Sequence, residues 1–172
     1  SFVKFASLAP ALSFTAFSCG NSENNSTPVP QEGLSKSSTT PDITPISREE
    51  RLGRIEKAQR LMNQEKIDAL YLEPGTSMKY FLDFDFSLSE RMVAAIIPSK
   101  GDPIYICPKF EEDKVAELMK FGNEIRTWEE HESPYDLVKS VLKDKIGNFG
   151  TLGIEERCRF FLYDGIKNKL SN

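Results

Sequence analysis

The chain has one histidine and three cysteines in 172 residues. A single imidazole argues against a histidine-based metal centre. Cys19, Cys107 and Cys158 lie too far apart to form a closely spaced thiolate motif. Basic residues are not in excess: 22 Lys and Arg stand against 26 Asp and Glu, a net charge of −4. With no basic stripe, nucleic-acid binding has little electrostatic support, and the acidic excess is too diffuse to name a cationic partner. There is no glycine-rich phosphate loop, no G-x-S-x-G nucleophile elbow and no internal repeat. The longest leading apolar stretch, residues 5–17, falls short of the ~20 residues a membrane span needs. What remains is the composition of one ordinary globular domain with a tail.

The most informative stretch is 89–108, SERMVAAIIPSKGDPIYICP. Val93 to Ile97 and Ile104 to Cys107 are apolar, β-branched runs punctuated by Pro98, Gly101 and Pro103, which predicts two paired strands around a tight loop. Near-continuous apolarity predicts strands covered on both faces, with helices on either side. Arg91 stands at the mouth of the first strand, where its charge stays solvated.

Upstream, the chain opens on Ser rather than Met, as expected of a fragment or a processed form. Residues 1–19 resemble an export signal: Ser1-Phe2-Val3-Lys4 is similar to the tail of a twin-arginine signal, and Ala16-Phe17-Ser18-Cys19 to a lipobox. Cys19 is then a lipidation site, or an incidental cysteine after an ordinary cleaved signal. Residues 20–46 are rich in Ser, Thr, Asn and Pro and cannot bury enough apolar surface to offset chain entropy. They are expected to be a disordered tether, placing the protein in the periplasm or holding it at a membrane through the N-terminal lipid.

From residue 47 onward, strands and helices alternate, which predicts an α/β layered domain. Ser47 with Glu50 forms a capping box, and Leu52, Ile55, Ala58 or Gln59, and Met62 recur at helical spacing. Residues 67–72 predict a strand ending in a Pro74-Gly75 turn. A short helix over 76–82 is expected to carry Met78, Tyr80 and Phe81 inward. Residues 83–90 read as a loop. A helix beginning at Phe110 with acids in its first turn is expected to bury Val115, Leu118 and Met119 and to end at Gly122. A strand over 124–128 follows, then a helix with Pro134 at its first position, a strand over 151–154 and a final helix over 160–170.

Isolated chemistry is weak. His131 in WEEHE lacks a second histidine at i+4 and reads as a solvated loop residue. Asp83 and Asp85 suit solvated turn positions better than acid–base work. Cys158, between Arg157 and Arg159, reads as a packed thiol; in an exported protein Cys107 and Cys158 are candidates for a disulfide.

A resemblance joins these pieces. Arg54-Ile55-Glu56-Lys57-Ala58, Met62, Ile67-Asp68-Ala69-Leu70, Tyr80-Phe81, Ser89-Glu90-Arg91, residues 93–98 with Gly101, Ile106-Cys107-Pro108 with Phe110-Glu111, and Gly153-Ile154-Glu155-Glu156-Arg157 occur in one order. Together they resemble the N-terminal domain of the creatinase–prolidase group, the pita-bread metallopeptidases that include Xaa-Pro aminopeptidases. Leu82 and Asp83 depart from the Thr or Ser and Gly usual after the Tyr-Phe pair. The resemblance implies a three-layer α/β/α sandwich with a mixed, ribonuclease H-like sheet over residues 47–172. It implies no catalytic or metal residues in this chain. Two divalent ions, Mn or Zn, are expected in a following catalytic domain, where a bridging hydroxide attacks an Xaa-Pro bond. The implied partners are that catalytic domain, a second copy in a homodimer, and a peptide with Pro at its second position. Arg91 matches a position whose arginine binds substrate carboxylate in creatinase-like members; an ion pair with Glu90 or a loop acid is the competing reading. A stand-alone tethered binding lipoprotein, or the same domain in a creatinase-type amidinohydrolase, are the alternatives.

Overall fold

The computed structural model describes residues 44–147 and 150–171. Residues 1–19, read above as an export signal with Cys19, and all but the last residues of the expected linker lie outside the described residues. Helix α1 (Arg48–Glu65) begins as its capping signal predicts, with Ser47 Oγ accepting the Glu50 N–H at 3.1 Å. The Glu50 carboxylate does not reach back to complete the box. It pairs instead with Arg54 one turn on, a charged donor that outcompetes a backbone N–H. Lys66 stops the helix in the left-handed region. Arg51, Ile55 and Met62 form the buried line, and Leu52 is exposed. At 3.6 residues per turn Arg51 lies nearer that line than Leu52 does, so an arginine takes the place predicted for leucine.

The remaining elements are β1 (Ala69–Leu72), α2 (Thr76–Leu82), β2 (Ala94–Pro98), β3 (Ile104–Pro108), a 3-10 turn (Lys109–Glu111), α3 (Glu112–Leu118), β4 (Glu124–Trp128), α4 (Pro134–Ile146), β5 (Leu152–Ile154) and α5 (Phe160–Leu170). In α2, Leu82 rather than Tyr80 points inward with Met78; Tyr80 is exposed under the Arg54 guanidinium, 4.2 Å from its ring centroid. Helix α3 ends at Leu118, one turn before Gly122, because Met119 turns to extended backbone. Gly122 instead shapes the turn into β4: its φ is +77°, and a Cβ there would collide with the Pro103 carbonyl oxygen.

The five strands form one mixed sheet in the order β4-β3-β2-β1-β5. β2 is antiparallel to both neighbours, while β1 with β5 and β3 with β4 are parallel. The central hairpin β2–β3 is fully buried, as its unbroken apolar pattern predicts. Alternate strand residues feed two cores. One joins Leu72, Ala95, Ile97 and Tyr105 to Ile55, Met78, Leu82 and Val115 of α1, α2 and α3. The other joins Tyr71, Ala94, Ile96 and Ile106 to Val138, Val141, Leu142, Leu162 and Ile166 of α4 and α5. The result is the expected α/β/α sandwich. Among the described residues no helix is long and apolar enough to cross a membrane.

Candidate functional site

Strands β1, β3, β4 and β5 share one direction, so their carboxyl ends gather on one rim, beside the start of β2. That rim is the face of an open α/β sheet where strand ends leave polar side chains free to meet a ligand. Glu73 follows β1, Ser89 to Met92 precede β2, Phe110 follows β3, Glu129 and Glu130 follow β4, and Glu155 to Arg159 follow β5.

Arg91 stands on this rim, half-buried. Its Nε donates to Glu130 Oε1 at 2.6 Å and its Nη2 to Glu130 Oε2 at 3.2 Å, while Nη1 donates to Glu90. The guanidinium also lies 5.3 Å from the centroid of the Phe110 ring. Two parallel N–H donors on one carboxylate is the strong, geometry-selective form of this pair. Hydrogen bonding to Glu130 raises the Arg91 pKa further, and the same contact holds the Glu130 carboxyl below its ordinary value. Arg91 is therefore paired with Glu90 and Glu130, and the grip it makes on Glu130 is the grip a free carboxylate would receive.

The same rim holds an ion pair with one buried partner that sequence reasoning missed. Glu73, 3% exposed, accepts from both the Arg159 side-chain Nε and, at 3.0 Å, the Arg159 backbone N–H. Arg159 Nη1 donates onward to the Ser89 carbonyl, and Glu155 Oε1 accepts the Glu73 N–H at 2.6 Å. The only signal for Glu73 in the sequence was a carboxylate placed directly after an apolar strand. Its partner lies 86 residues away, beyond any local pattern.

The other candidates separate. Asp85 is exposed, as expected, with Lys79 at 2.5 Å, whereas Asp83, in the left-handed region and half-buried, pairs with Arg51 at 2.7 Å and Lys120 at 2.5 Å. His131 is an exposed loop residue. Among the described residues no three His, Cys, Asp or Glu side chains are grouped to hold a metal ion. Cys107 and Cys158 are both free, packed in cores on opposite faces of the sheet, which excludes the disulfide considered for them. Burial, with Glu73 and Glu155 nearby, pushes the Cys158 thiol up to about 11 despite its basic neighbours.

Residues 54–172 match the family described as the creatinase/prolidase N-terminal domain. The chain belongs to that family. It is similar to an uncharacterized peptidase of Schizosaccharomyces pombe, 32% identical over 136 residues, covering 71% of this chain and 29% of that protein. In fold it is similar to a prolidase from Thermococcus sibiricus, with a TM-score of 0.62 at 22% identity over 74% of this chain and 34% of that one. It is likewise similar to the creatinase/prolidase N-terminal domain of an X-Pro dipeptidase from Streptococcus pyogenes, with a TM-score of 0.59 at 15% identity, covering 70% and 89% of the two chains. This chain thus spans about a third of the first two relatives and most of the isolated Streptococcus pyogenes domain.

Proposed function

We propose that this domain is the accessory N-terminal module of an exported Xaa-Pro metallopeptidase, an aminopeptidase or a dipeptidase. In this reading, residues 1–19 direct export and Cys19 carries lipid, residues 20–46 tether the domain, and a further domain of the same protein holds the two divalent ions, Mn or Zn. The domain contributes to a homodimer and, through Arg91, to the wall that receives the carboxylate of a peptide with Pro at its second position. The observation that carries the reading is the family match together with a rim arginine already gripping a carboxylate by two hydrogen bonds.

The test uses the complete protein, assayed with Mn²⁺ on Xaa-Pro peptides against Xaa-Ala peptides. Expected are proline-selective hydrolysis by the complete protein and no turnover by this 172-residue chain alone. Arg91→Ala should raise KM roughly tenfold with kcat little changed, the loss of one charged hydrogen-bonded pair. Hydrolysis by this chain alone, or a complete protein inert toward every Xaa-Pro peptide, would refute the assignment. Intact mass and membrane fractionation of the wild type against Cys19→Ser decide the lipid.

A further inference from the structure

We infer that Arg159 is a positioning residue for Arg91: it clamps the rim segment Ser89–Met92 to the end of β1 through the buried Glu73 carboxylate. This deepens the reading above and rests on it for its catalytic consequence alone.

The geometry runs in one connected path. Glu73 is fixed at the end of the buried strand β1, and its N–H is held by Glu155 Oε1 at 2.6 Å. Its two carboxylate oxygens receive the Arg159 backbone N–H and side-chain Nε. The remaining arm of the Arg159 guanidinium reaches the Ser89 carbonyl, and Ser89 Oγ in turn accepts the Arg91 N–H at 3.2 Å. The other end of the segment is pinned by Trp128, whose indole N–H donates to the Met92 carbonyl at 3.2 Å.

Three features argue for a positioning role over a merely cohesive one. Residues 87–91, between the buried Phe86 and Met92, have neither helix nor strand nor core packing to hold them, so the direction of Arg91 depends on contacts such as that of Arg159 with Ser89. A guanidinium is suited to this task because its planar fork serves a carboxylate on one edge and a carbonyl on another without rotating; an ammonium has no such fork. A carboxylate this buried is also costly unless paired, which keeps Arg159 in one place. Arg159 itself faces Glu73, Ser89 and the Phe161 ring, whose centroid is 4.8 Å from the guanidinium, so it is committed to the clamp and not to a ligand.

Trp128 is the sole tryptophan of the chain and touches the segment directly, so its emission reports the clamp without any assay of activity. In this 172-residue chain, Arg159→Ala should shift that emission to the red and raise quencher access, and Arg91→Ala should leave both unchanged; hydrolysis is read in the complete protein. For hydrolysis, Arg159→Ala should raise KM by roughly tenfold, the scale of one charged hydrogen bond, and add little once Arg91 is already alanine. If Arg159→Ala is too unstable to purify, Arg159→Lys keeps a charge opposite Glu73, gives up the second contact and is read the same way. A lower Tm with Trp128 emission and KM unmoved overturns the inference, as does a KM effect fully additive with Arg91→Ala. If Arg91→Ala leaves KM unchanged, the substrate reading has failed, and the emission of Trp128 still decides the clamp.

Discussion

Arg51 closes the C-terminus of α2 from the neighbouring helix: its Nη1 donates to the carbonyls of Lys79 and Tyr80, and its Nη2 meets Asp83 Oδ1 at 2.7 Å. The Lys79 carbonyl also accepts the Asp83 N–H at 3.1 Å and the Tyr80 carbonyl the Arg54 Nη1 at 3.0 Å, and the Arg51 side chain that joins them is almost fully buried. Arg51→Ala would remove one donor from each carbonyl, leave Asp83 with Lys120 alone and open a cavity. The expected loss is about 3 kcal/mol, read as a lower urea midpoint at unchanged m-value. Arg51→Lys, which lacks the fork, should recover only part of it.

Gly122 is predicted to tolerate no side chain. Gly122→Ala imposes a left-handed backbone on an L-residue and drives its Cβ into the Pro103 carbonyl. The expected cost exceeds about 2 kcal/mol, measured by thermal melt, where an alanine at the open Gly53 in α1 should be neutral or stabilising.

Asp68 holds the outer strand β5 in register. Its Oδ2 accepts the backbone N–H groups of Gly150 at 2.6 Å and Thr151 at 2.9 Å, and these two bonds, Thr151 foremost, lower its pKa. A lowered folded-state value means the contribution is complete above the ordinary aspartate range and is lost as pH falls through the lowered value. Amide exchange at Asp68 and Glu155, whose N–H groups join the ends of β1 and β5 through the Thr151 and Tyr71 carbonyls, should accelerate in Asp68→Ala at pH 7. Wild-type exchange, corrected for its intrinsic pH dependence, should approach that of the variant only in that acid window.

Glu130 is predicted to release Arg91 by the same sign of argument. Arg91 holds its carboxyl below the ordinary glutamate value, so the pair survives mild acid and dissolves only as pH drops through the lowered value. Carboxyl carbon NMR of Glu130 should show titration below the ordinary glutamate range, and Arg91→Ala should return it to that range. Glu130→Gln should leave the melting temperature essentially unchanged, since exposed pairs contribute little.

Both core thiols should be inert in the folded protein. Burial pushes Cys107 up to about 12 and Cys158 up to about 11, so thiolate is scarce at neutral pH. In a Cys19→Ser chain, a thiol reagent at pH 7.5 should react slowly before denaturant and with both cysteines after it. Rapid labelling of native Cys158 would contradict the packing described.

Local grammar was legible wherever a residue acts within its own element. Ser47 as a cap, Pro134 opening α4 and the apolar pattern of Ile104 to Cys107 each act within a few residues, so sequence alone located α1, α4 and the central hairpin. The family likeness was legible for a related reason, because it rests on the order of such short segments along one chain. Exposure was harder: Tyr80 and Leu52 sit outside while Arg51 sits inside, since helical spacing does not say which of two adjacent lines meets the sheet.

By itself, then, the sequence determined which segments become helix and strand, that the sheet is covered on both faces, and that Arg91 stands at the mouth of β2. Only the tertiary structure decided the company Arg91 keeps. Glu130 arrives from 39 residues away, and the Glu73–Arg159 pair spans 86. The physical reason is that parallel strand ends converge only after long crossovers, so the charges of the rim meet through topology, and no local pattern records who will face whom.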